Sequence, residues 1–277
     1  MAITAAQVKV LRDATNAGMM DCKKALTATE GDFDAAVVWL REKGIAIAGK
    51  KAGREANQGI IAAKISDCGK IGSLIMVNCE TDFVARNDSF KDFVATLSEE
   101  SINVETGALA DTAADQLTAK IAEVGENLII AKNTQYKVEG TGSVHSYIHM
   151  GGLVGVMVEF GFANDATAGD ALNELGKDVA MHIAAANPQA LNRDGIDEKA
   201  VQTEKGLFEK EVEGKPEEIK EKILGGKLNK FFSQVVLLEQ AFIKDTDLSI
   251  EQLVAKVSKD LGDEISIKRY ERWQIGG

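Results

Sequence analysis

The chain has 277 residues, of which 45% are hydrophobic and 27% charged, and its formal net charge is -11. This composition is that of an ordinary globular protein with enough chain for two or three packed units. The acidic balance argues against direct binding to nucleic acid, which requires a basic face. No apolar run approaches the roughly 20 residues that a membrane-spanning helix needs, so we expect no membrane contact.

The charge is unevenly distributed along the chain. Residues 1–54 contain nine Lys or Arg and six Asp or Glu, a balance of +3, so the remaining residues hold -14. A weakly basic head on an acidic body favours protein surfaces as partners. The first residues enter a helical pattern at once, without the features of an export signal, and we therefore expect a cytoplasmic protein. Cys22, Cys68 and Cys79 form no paired motif and are expected to be reduced thiols.

The start of the chain predicts three short helices. Thr4 can cap a helix over Ala5–Ala14, and a second helix is predicted over Met19–Ala28. Asp32 can cap a third helix. Three helices in so short a stretch form a small bundle, and we expect its shape to resemble ubiquitin-associated domains. Residues 44–58 are rich in Gly, Ala and Lys and are interpreted as a connector that is at most partly helical.

The next part of the chain repeats a pattern. Gly59 and Gly72 lie 13 positions apart in one pair of apolar segments, and Gly142 and Gly155 have the same spacing in another. Each pair of segments predicts a β-hairpin that leads into an amphipathic helix. The two predicted helices are Ser89–Glu100 and Ala168–Ala186. The pattern indicates two related α+β subdomains with one topology, although the few identities leave a chance match as the alternative.

Residues 196–232 have a strongly helical and charged pattern. The turn Gly214-Lys215-Pro216 divides it into two arms of about 16 residues, or roughly 24 Å each. These arms predict an antiparallel helical hairpin, which Gly225-Gly226 weakens in its second arm. The last predicted elements are a strand at Val235–Leu238, a helix at Ser249–Leu261 and a strand at Glu264–Gln274.

The predicted fold class is therefore α+β. It combines a three-helix ubiquitin-associated-like bundle, a core of two related α+β subdomains and a projecting antiparallel helical coiled coil. The expected divisions are 1–54 for the bundle and linker, 55–140 for the first core subdomain and 141–277 for the second. The coiled coil is expected as an insertion at about 196–232.

Three groups of residues invite an enzyme interpretation. Gly44–Lys51 matches a phosphate loop except at its last position, where Lys51 replaces the hydroxyl that would meet magnesium. His145 and His149 would share one face of a strand and could pair on a metal, or serve as a partner contact or packed side chains. Cys79 has no evident base and is better explained as the buried end of its strand. We therefore predict no catalytic residue, metal or cofactor.

Two other segments are more informative. Residues 17–26 read AGMMDCKKAL, and residues 77–87 read VNCETDFVARN. Adjacent methionines beside lysines form an adaptable apolar surface with a charged edge, which suits a partner helix. Phe83 is predicted in a turn where a strand ends. There it either packs back into the core or protrudes as an interface anchor, and the residues alone leave both open.

The two segments resemble the signature motifs of the elongation factor Ts family. Further matches occur in the same order along nearly the whole chain: Gly125-Glu126-Asn127, Tyr147–His149, residues 180–185 and Gly214-Lys215-Pro216. The resemblance implies a guanine-nucleotide exchange factor that binds elongation factor Tu in its GDP-bound and nucleotide-free forms. It implies no chemical catalysis. A homodimer or a larger complex is left open.

The resemblance also implies which residues contact elongation factor Tu. Asp82 and Phe83 match the pair that inserts near the magnesium site of the GTPase. The full set of implied contact residues is Met19, Met20, Cys22, Lys23, Thr81, Asp82, Phe83, Val84, Val124 and His149. Two other classes of function remain as alternatives. A binding module without exchange activity would lack Asp82-Phe83, and an enzyme would hold a metal or nucleotide.

Overall fold

The computed structural model describes residues 3–15, 17–164, 169–212, 214 and 216–276. Ala168 and Lys215, which take part in a predicted helix start and a predicted turn, lie outside the described residues. The helices are α1 Ala5–Thr15, α2 Met19–Ala28, α3 Phe33–Lys51, α4 Asp82–Arg86, α5 Asp88–Ser101, α6 Leu109–Thr112, α7 Ala114–Val124, α8 Asp170–Ala186, α9 Glu198–Glu211, α10 Glu217–Val235 and α11 Ile250–Leu261. The strands are β1 Gln58–Ile65, β2 Ile71–Cys79, β3 Leu128–Lys137, β4 Gly142–His149, β5 Val154–Gly161, β6 Ala241–Phe242, β7 Asp245–Ser249 and β8 Ser266–Gln274. Helices thus combine with small antiparallel sheets, as predicted for the α+β class.

Helices α1, α2 and α3 form a small bundle at the start of the chain. Leu11, Cys22 and Leu26 are buried in its centre. Asp32 caps α3 as predicted, because its carboxylate accepts a hydrogen bond from the Ala35 backbone N–H at 2.9 Å. The likeness of the bundle to ubiquitin-associated domains stays a prediction.

Helix α3 continues much further than predicted. It runs to Lys51, so most of the expected connector is helical. The reason is tertiary: Gly44 is buried against Ala122 of α7, and a Cβ at Gly44 would lie 3.5 Å from the Ala122 Cβ. The backbone N–H groups of Gly44–Lys51 lie within this helix, which excludes the phosphate-loop interpretation for that segment.

Two three-stranded antiparallel sheets form the centre of the molecule. Their strand orders are β1-β2-β3 and β4-β5-β8, so each consists of a hairpin plus a third strand beside the second one. Both sheets have a register shift, at Met76/Val77 in one and at Glu159/Phe160 in the other. These positions are 83 residues apart, as are Gly59 and Gly142. The predicted common topology is therefore confirmed at the level of strand order.

The two sheets pack on each other with local two-fold symmetry. The backbone N–H of Ile61 donates to the Gly152 carbonyl at 2.8 Å, and the N–H of Val144 donates to the Gly69 carbonyl at 2.7 Å. Ile61 and Val144 are 83 positions apart, and so are Gly69 and Gly152, which makes the two hydrogen bonds equivalent. Buried side chains from both sheets fill the space between them, namely Ile61, Leu74, Met76, Tyr136, Val144, Met157 and Trp273.

Helices cover the outer face of each sheet. Phe90 and Leu97 of α5 are fully buried against the first sheet, and Leu175 and Ile183 of α8 are buried against the second. Both helices were predicted close to their observed bounds. Helices α6 and α7 and strand β3, which complete the first half, were not predicted.

The predicted helical hairpin consists of α9 and α10, with 14 and 19 residues. Glu211 and Lys227 form an ion pair between the two arms, and the Lys227 ammonium lies 5.2 Å from the Phe208 ring centre. The strand predicted at Val235–Leu238 is wrong. Helix α10 reaches Val235, Val236 makes only a single bridge to Ala190, and a 3-10 turn follows. Among the described residues, no helix combines the length and the hydropathy that crossing a bilayer requires.

Candidate functional site

The most exposed large apolar side chain of the described residues belongs to Phe83, which is 82% exposed. Strand β2 ends at Cys79, which is buried in the core, and the short helix α4 begins at Asp82. Thr81 caps α4, because its hydroxyl accepts a hydrogen bond from the Val84 backbone N–H at 3.3 Å. Val84 packs against the core from the same helix. The structure thus resolves the alternative left open by the sequence: Phe83 protrudes.

Two charged residues flank Phe83 on α4. The Asp82 carboxylate pairs with the Arg86 guanidinium at 3.1 Å, one helical turn away, and both side chains are exposed. An exposed pair of this kind contributes little to folding stability. It does present a carboxylate beside an exposed aromatic ring, which is a combination suited to recognition.

A second segment, directly after α7, is hydrogen-bonded to the residue that precedes the Phe83 helix. Helix α7 ends after Val124, and Gly125 adopts φ +77°, a left-handed conformation that favours glycine. The next residue, Glu126, accepts two hydrogen bonds from Thr81: one from its backbone N–H at 3.0 Å and one from its hydroxyl at 2.7 Å. Half-buried Val124 is thereby placed close to the Phe83 turn, although 41 positions separate the two residues in the chain.

The bundle presents a second apolar surface at the start of α2. Met19 is 57% exposed and Met20 is 62% exposed, and Lys23 is exposed beside them. Cys22 is fully buried beneath, where its thiol donates to the Ala17 carbonyl at 3.6 Å. Cys22 therefore supports this surface from inside the bundle and is not itself available to a partner. Burial raises the pKa of its thiol.

A groove of about 300 Å³ lies between the bundle and α7. Residues at the start of α2, including Gly18 and Asp21, line one side, and Thr118, Ala122 and Glu123 of α7 line the other. Helix α7 thus borders the groove beside the start of α2 and ends at Val124, two residues before Glu126. The packing of α3 on α7 fixes this arrangement.

His149 lies at the exposed end of β4. Its ring stacks on Tyr147, with ring centres 5.8 Å apart, and its Nδ1 lies 3.1 Å from the Tyr147 hydroxyl. The following turn exposes Met150 and Leu153, two apolar residues that our sequence reasoning missed. Adjacent apolar residues around Gly151-Gly152 were the available signal. The turn lies beside β1, because Gly152 accepts a hydrogen bond from Ile61.

The other histidine of this strand has a different environment. His145 packs edge-on against Phe160, and its Nε2 lies 2.8 Å from the Ser143 hydroxyl. Burial lowers the pKa of His145 to about 4, so the ring is neutral at pH 7. No group of three or more His, Cys, Asp or Glu side chains within the described residues could hold a metal. The histidine-pair interpretation therefore has no support from its surroundings.

Cys22 and Cys79 also lack the features of a catalytic site. Cys22 and Cys79 are buried free thiols, and Cys68 is an exposed one. Burial, together with the nearby Glu126 carboxylate, raises the pKa of the Cys79 thiol to about 12. A thiol with such a pKa stays protonated at pH 7 and is a poor nucleophile.

Comparisons with known proteins give one consistent result. A family model described as elongation factor TS matches residues 80–277. An elongation factor Ts from Trichlorobacter lovleyi is 43% identical to the chain, covering 100% of the chain and 93% of that protein. The corresponding protein of Nitratidesulfovibrio vulgaris strain DP4 is 42% identical, with 100% and 96% covered. That of Clostridium perfringens strain SM101 is 44% identical, with 99% and 93% covered.

Proposed function

The chain belongs to the elongation factor Ts family, and we propose that it is a guanine-nucleotide exchange factor of translation elongation. In this proposal it binds elongation factor Tu carrying GDP, promotes release of the GDP and leaves when GTP binds. No covalent bond is made or broken, so the chain acts as a regulator without chemical catalysis. Bacterial translation elongation takes place in the cytoplasm, and we propose that the chain works there.

The observation that best supports this proposal is the exposure of Phe83. A phenylalanine that is 82% exposed gains almost nothing from its own fold, since apolar side chains stabilise a protein by burial. It stands on a short helix whose cap and neighbours are held by hydrogen bonds. A large apolar group on a fixed turn is suited to insertion into a pocket of a partner.

We propose that the residues implied by the family motifs form one contact surface. Met19, Met20 and Lys23 would contact elongation factor Tu through the bundle, and Asp82, Phe83, Val124 and His149 would contact it through the core. Thr81, Val84 and Cys22 would support these side chains from beneath. We also propose that the chain divides into the bundle and linker at 1–54, the first core subdomain at 55–140 and the second at 141–277. The helical hairpin at about 196–232 is an insertion in the second.

The mechanism follows from how GTPases hold GDP. Magnesium and the backbone N–H groups of a phosphate loop bind the diphosphate, and both depend on precise geometry. Phe83 inserted near that loop would displace the helices that support it. Asp82 would bring negative charge close to the magnesium ion. The nucleotide would then lose several of its ligands together, which lowers the barrier to release.

Thermodynamic linkage sets a condition on this proposal. The factor by which the chain weakens GDP binding must equal the factor by which GDP weakens binding of the chain. The nucleotide-free form of elongation factor Tu must therefore bind the chain more tightly than the GDP-bound form does, by the same factor.

The test is release of a fluorescent GDP analogue from elongation factor Tu, chased with excess unlabelled GDP. We expect substoichiometric amounts of the chain to accelerate release, with a rate that rises with its concentration. Chelation of magnesium should accelerate release without the chain and reduce the additional effect of the chain, because both perturb the same ligands.

The outcome also separates exchange from the alternatives. Tight binding to elongation factor Tu with an unchanged release rate would contradict exchange and favour a binding module. Absence of binding to the nucleotide-free form would contradict the proposal entirely.

A further inference from the structure

One carboxylate takes both hydrogen-bond donors of the residue that precedes the Phe83 helix. Glu126 accepts from the Thr81 backbone N–H through Oε2 at 3.0 Å and from the Thr81 hydroxyl through Oε1 at 2.7 Å. Glu126 and Thr81 are both half-buried. Hydrogen bonds to a charged acceptor are stronger than neutral ones, so this contact holds Thr81 in one orientation.

The contact is reciprocated by the neighbouring residues. Glu80 accepts a hydrogen bond from the Asn127 backbone N–H at 2.6 Å. The Asn127 side chain is buried and donates to the Arg54 carbonyl at 2.7 Å, while the Arg54 guanidinium lies 3.4 Å from Glu80. The hydrogen bond from Asn127 is the main reason that the pKa of Glu80 is lowered. Residues 80–81 and 126–127 are thus joined by side-chain to backbone bonds in both directions.

Glu126 also determines how Thr81 caps α4. A threonine hydroxyl has one hydrogen to donate and lone pairs to accept with. Because the hydrogen is directed at Glu126, a lone pair is free for the Val84 N–H, which donates to it at 3.3 Å. Helix α4 has only five residues and cannot be stable by itself. Its orientation, and that of exposed Phe83, therefore depends on this cap together with the packing of Val84 and Ala85 against the core.

From this geometry we propose that Glu126 is a positioning residue for nucleotide exchange, which acts by holding Thr81 and so directing Phe83. The inference rests on the proposed function and deepens it, since Glu126 lies outside the set of contact residues named above. The carboxylate fixes the Phe83 turn before the partner arrives. The ordering of that turn then need not be completed during binding.

Glu126→Gln tests the proposal with little change in shape. The amide is uncharged, so the charge-assisted hydrogen bond from the Thr81 hydroxyl is lost: with the amide oxygen on the Thr81 N–H, the NH₂ group can only donate to the hydroxyl, whose hydrogen is no longer held by residue 126. We expect release of the fluorescent GDP analogue to slow by about tenfold, the effect of losing one hydrogen bond to a charged group. Glu100→Gln is the matched control, because Glu100 lies at the far end of α5, where its carboxylate accepts hydrogen bonds from the Gln116 side-chain amide. It should leave the exchange rate unchanged.

The partner residue offers a second pair of variants. Thr81→Val keeps the shape of Thr81 but removes the hydroxyl, so the contact to Glu126 and the cap of α4 are both weakened. Thr81→Ser restores the hydroxyl and should recover most of the rate that Thr81→Val loses. Equal rates for the two variants would contradict the role of the hydroxyl and overturn the proposal.

A double-mutant cycle distinguishes positioning from a general structural effect. If Glu126 acts through Phe83, the tenfold loss should disappear when Glu126→Gln is combined with Phe83→Ala. Urea unfolding of each variant gives its folded fraction, and rates are compared per folded molecule. The same loss in both backgrounds, or a loss equal to the unfolded fraction, would overturn the proposal.

The cycle also separates this inference from the proposed function. A chain that fails to accelerate GDP release in its unaltered form overturns both. If Phe83→Ala slows release while Glu126→Gln retains the full rate, the exchange function stands and the positioning role of Glu126 is wrong.

Discussion

Two phenylalanines seven positions apart allow function to be separated from folding. Phe83 is 82% exposed, whereas Phe90 on the next helix is fully buried in the core beside the first sheet. Phe83→Ala removes a side chain with almost no buried area, so we expect the free energy of unfolding to change by no more than about 0.5 kcal/mol. Phe90→Ala leaves a cavity and should cost about 3–5 kcal/mol.

The effects on nucleotide release should be the reverse. A central aromatic anchor often contributes about 2 kcal/mol or more to an interface. If this contribution falls on the transition state for exchange, Phe83→Ala should slow GDP release by at least about 30-fold. Phe90→Ala should keep the normal rate per folded molecule, because the Phe90 side chain is fully buried and cannot contact a partner.

The assay pairs urea unfolding with stopped-flow release of the fluorescent GDP analogue for both variants. Circular dichroism during unfolding gives the folded fraction under the conditions of the release measurement. Destabilisation of Phe83→Ala by several kcal/mol, combined with undiminished exchange per folded molecule, would refute the argument that exposure marks Phe83 as the partner anchor.

The remaining predictions concern stability. Gly176→Ala should destabilise the protein by about 1–3 kcal/mol although alanine favours helices, because the new Cβ would lie 2.6 Å from the His145 ring Cδ2. Gly225→Ala should stabilise α10 by up to about 1 kcal/mol, because its new Cβ would have no atom within 4 Å. Thermal and urea unfolding check both. The His145 pKa is about 4 in the fold against 6.5 when unfolded, so below pH 6.5 the unfolded chain binds a proton that the folded chain refuses. Stability should therefore fall between pH 6.5 and 4 by up to about 1.4 kcal/mol per pH unit, and His145→Gln should remove that slope.

The repeated glycines show why the central hairpins could be predicted. A Cβ at Gly59 would lie 2.8 Å from the backbone of Asn78 on the paired strand, and one at Gly72 would lie 2.9 Å from both Ile65 and Met157. Gly155 is similarly enclosed by Leu74 and other side chains of the facing sheet. Close approach of backbone to neighbouring strands leaves room only for glycine, so the 13-residue spacing records a packing constraint.

Elements defined by distant contacts could not be predicted in the same way. The apolar run at Val235–Leu238 has no periodicity that separates a strand from the end of a helix. The conformation of this run is decided by contacts with a distant segment of the same chain, because Val236 and Leu237 are buried beside Ala190. The extension of α3 through Gly44 likewise depends on Ala122, which is 78 positions further along.

Only part of the candidate site could be predicted, because its geometry also depends on contacts between residues that are distant in the sequence. The motif residues identified the Phe83 turn, but its exposure follows from packing of Val84 into the core, which local sequence does not specify. The role of Glu126 depends on contacts with Thr81, 45 positions away. A motif can point to Glu126 as notable, but only the fold shows which atoms it binds.

The two-fold arrangement of the sheets brings the β4–β5 turn close to β1, although the two segments are not equivalent in the repeat. Phe83 follows the second strand of one hairpin, whereas His149 ends the first strand of the other, so the repeat does not relate them. The symmetry places the β4–β5 turn beside the start of β1, through the hydrogen bond from Ile61 to Gly152. Strand β1 starts opposite Cys79, next to the Phe83 turn.

The symmetry-equivalent junction between the two sheets has different surroundings. There the β1–β2 turn lies beside the start of β4, through the hydrogen bond from Val144 to Gly69. The β1–β2 turn borders a cavity of about 740 Å³, which His145 and residues of α8 also line. The repeated topology thus contains two similar junctions, and the one near the Phe83 turn is followed by different helices. The two junctions differ in the helices that surround them, since the strand orders of the sheets themselves are alike.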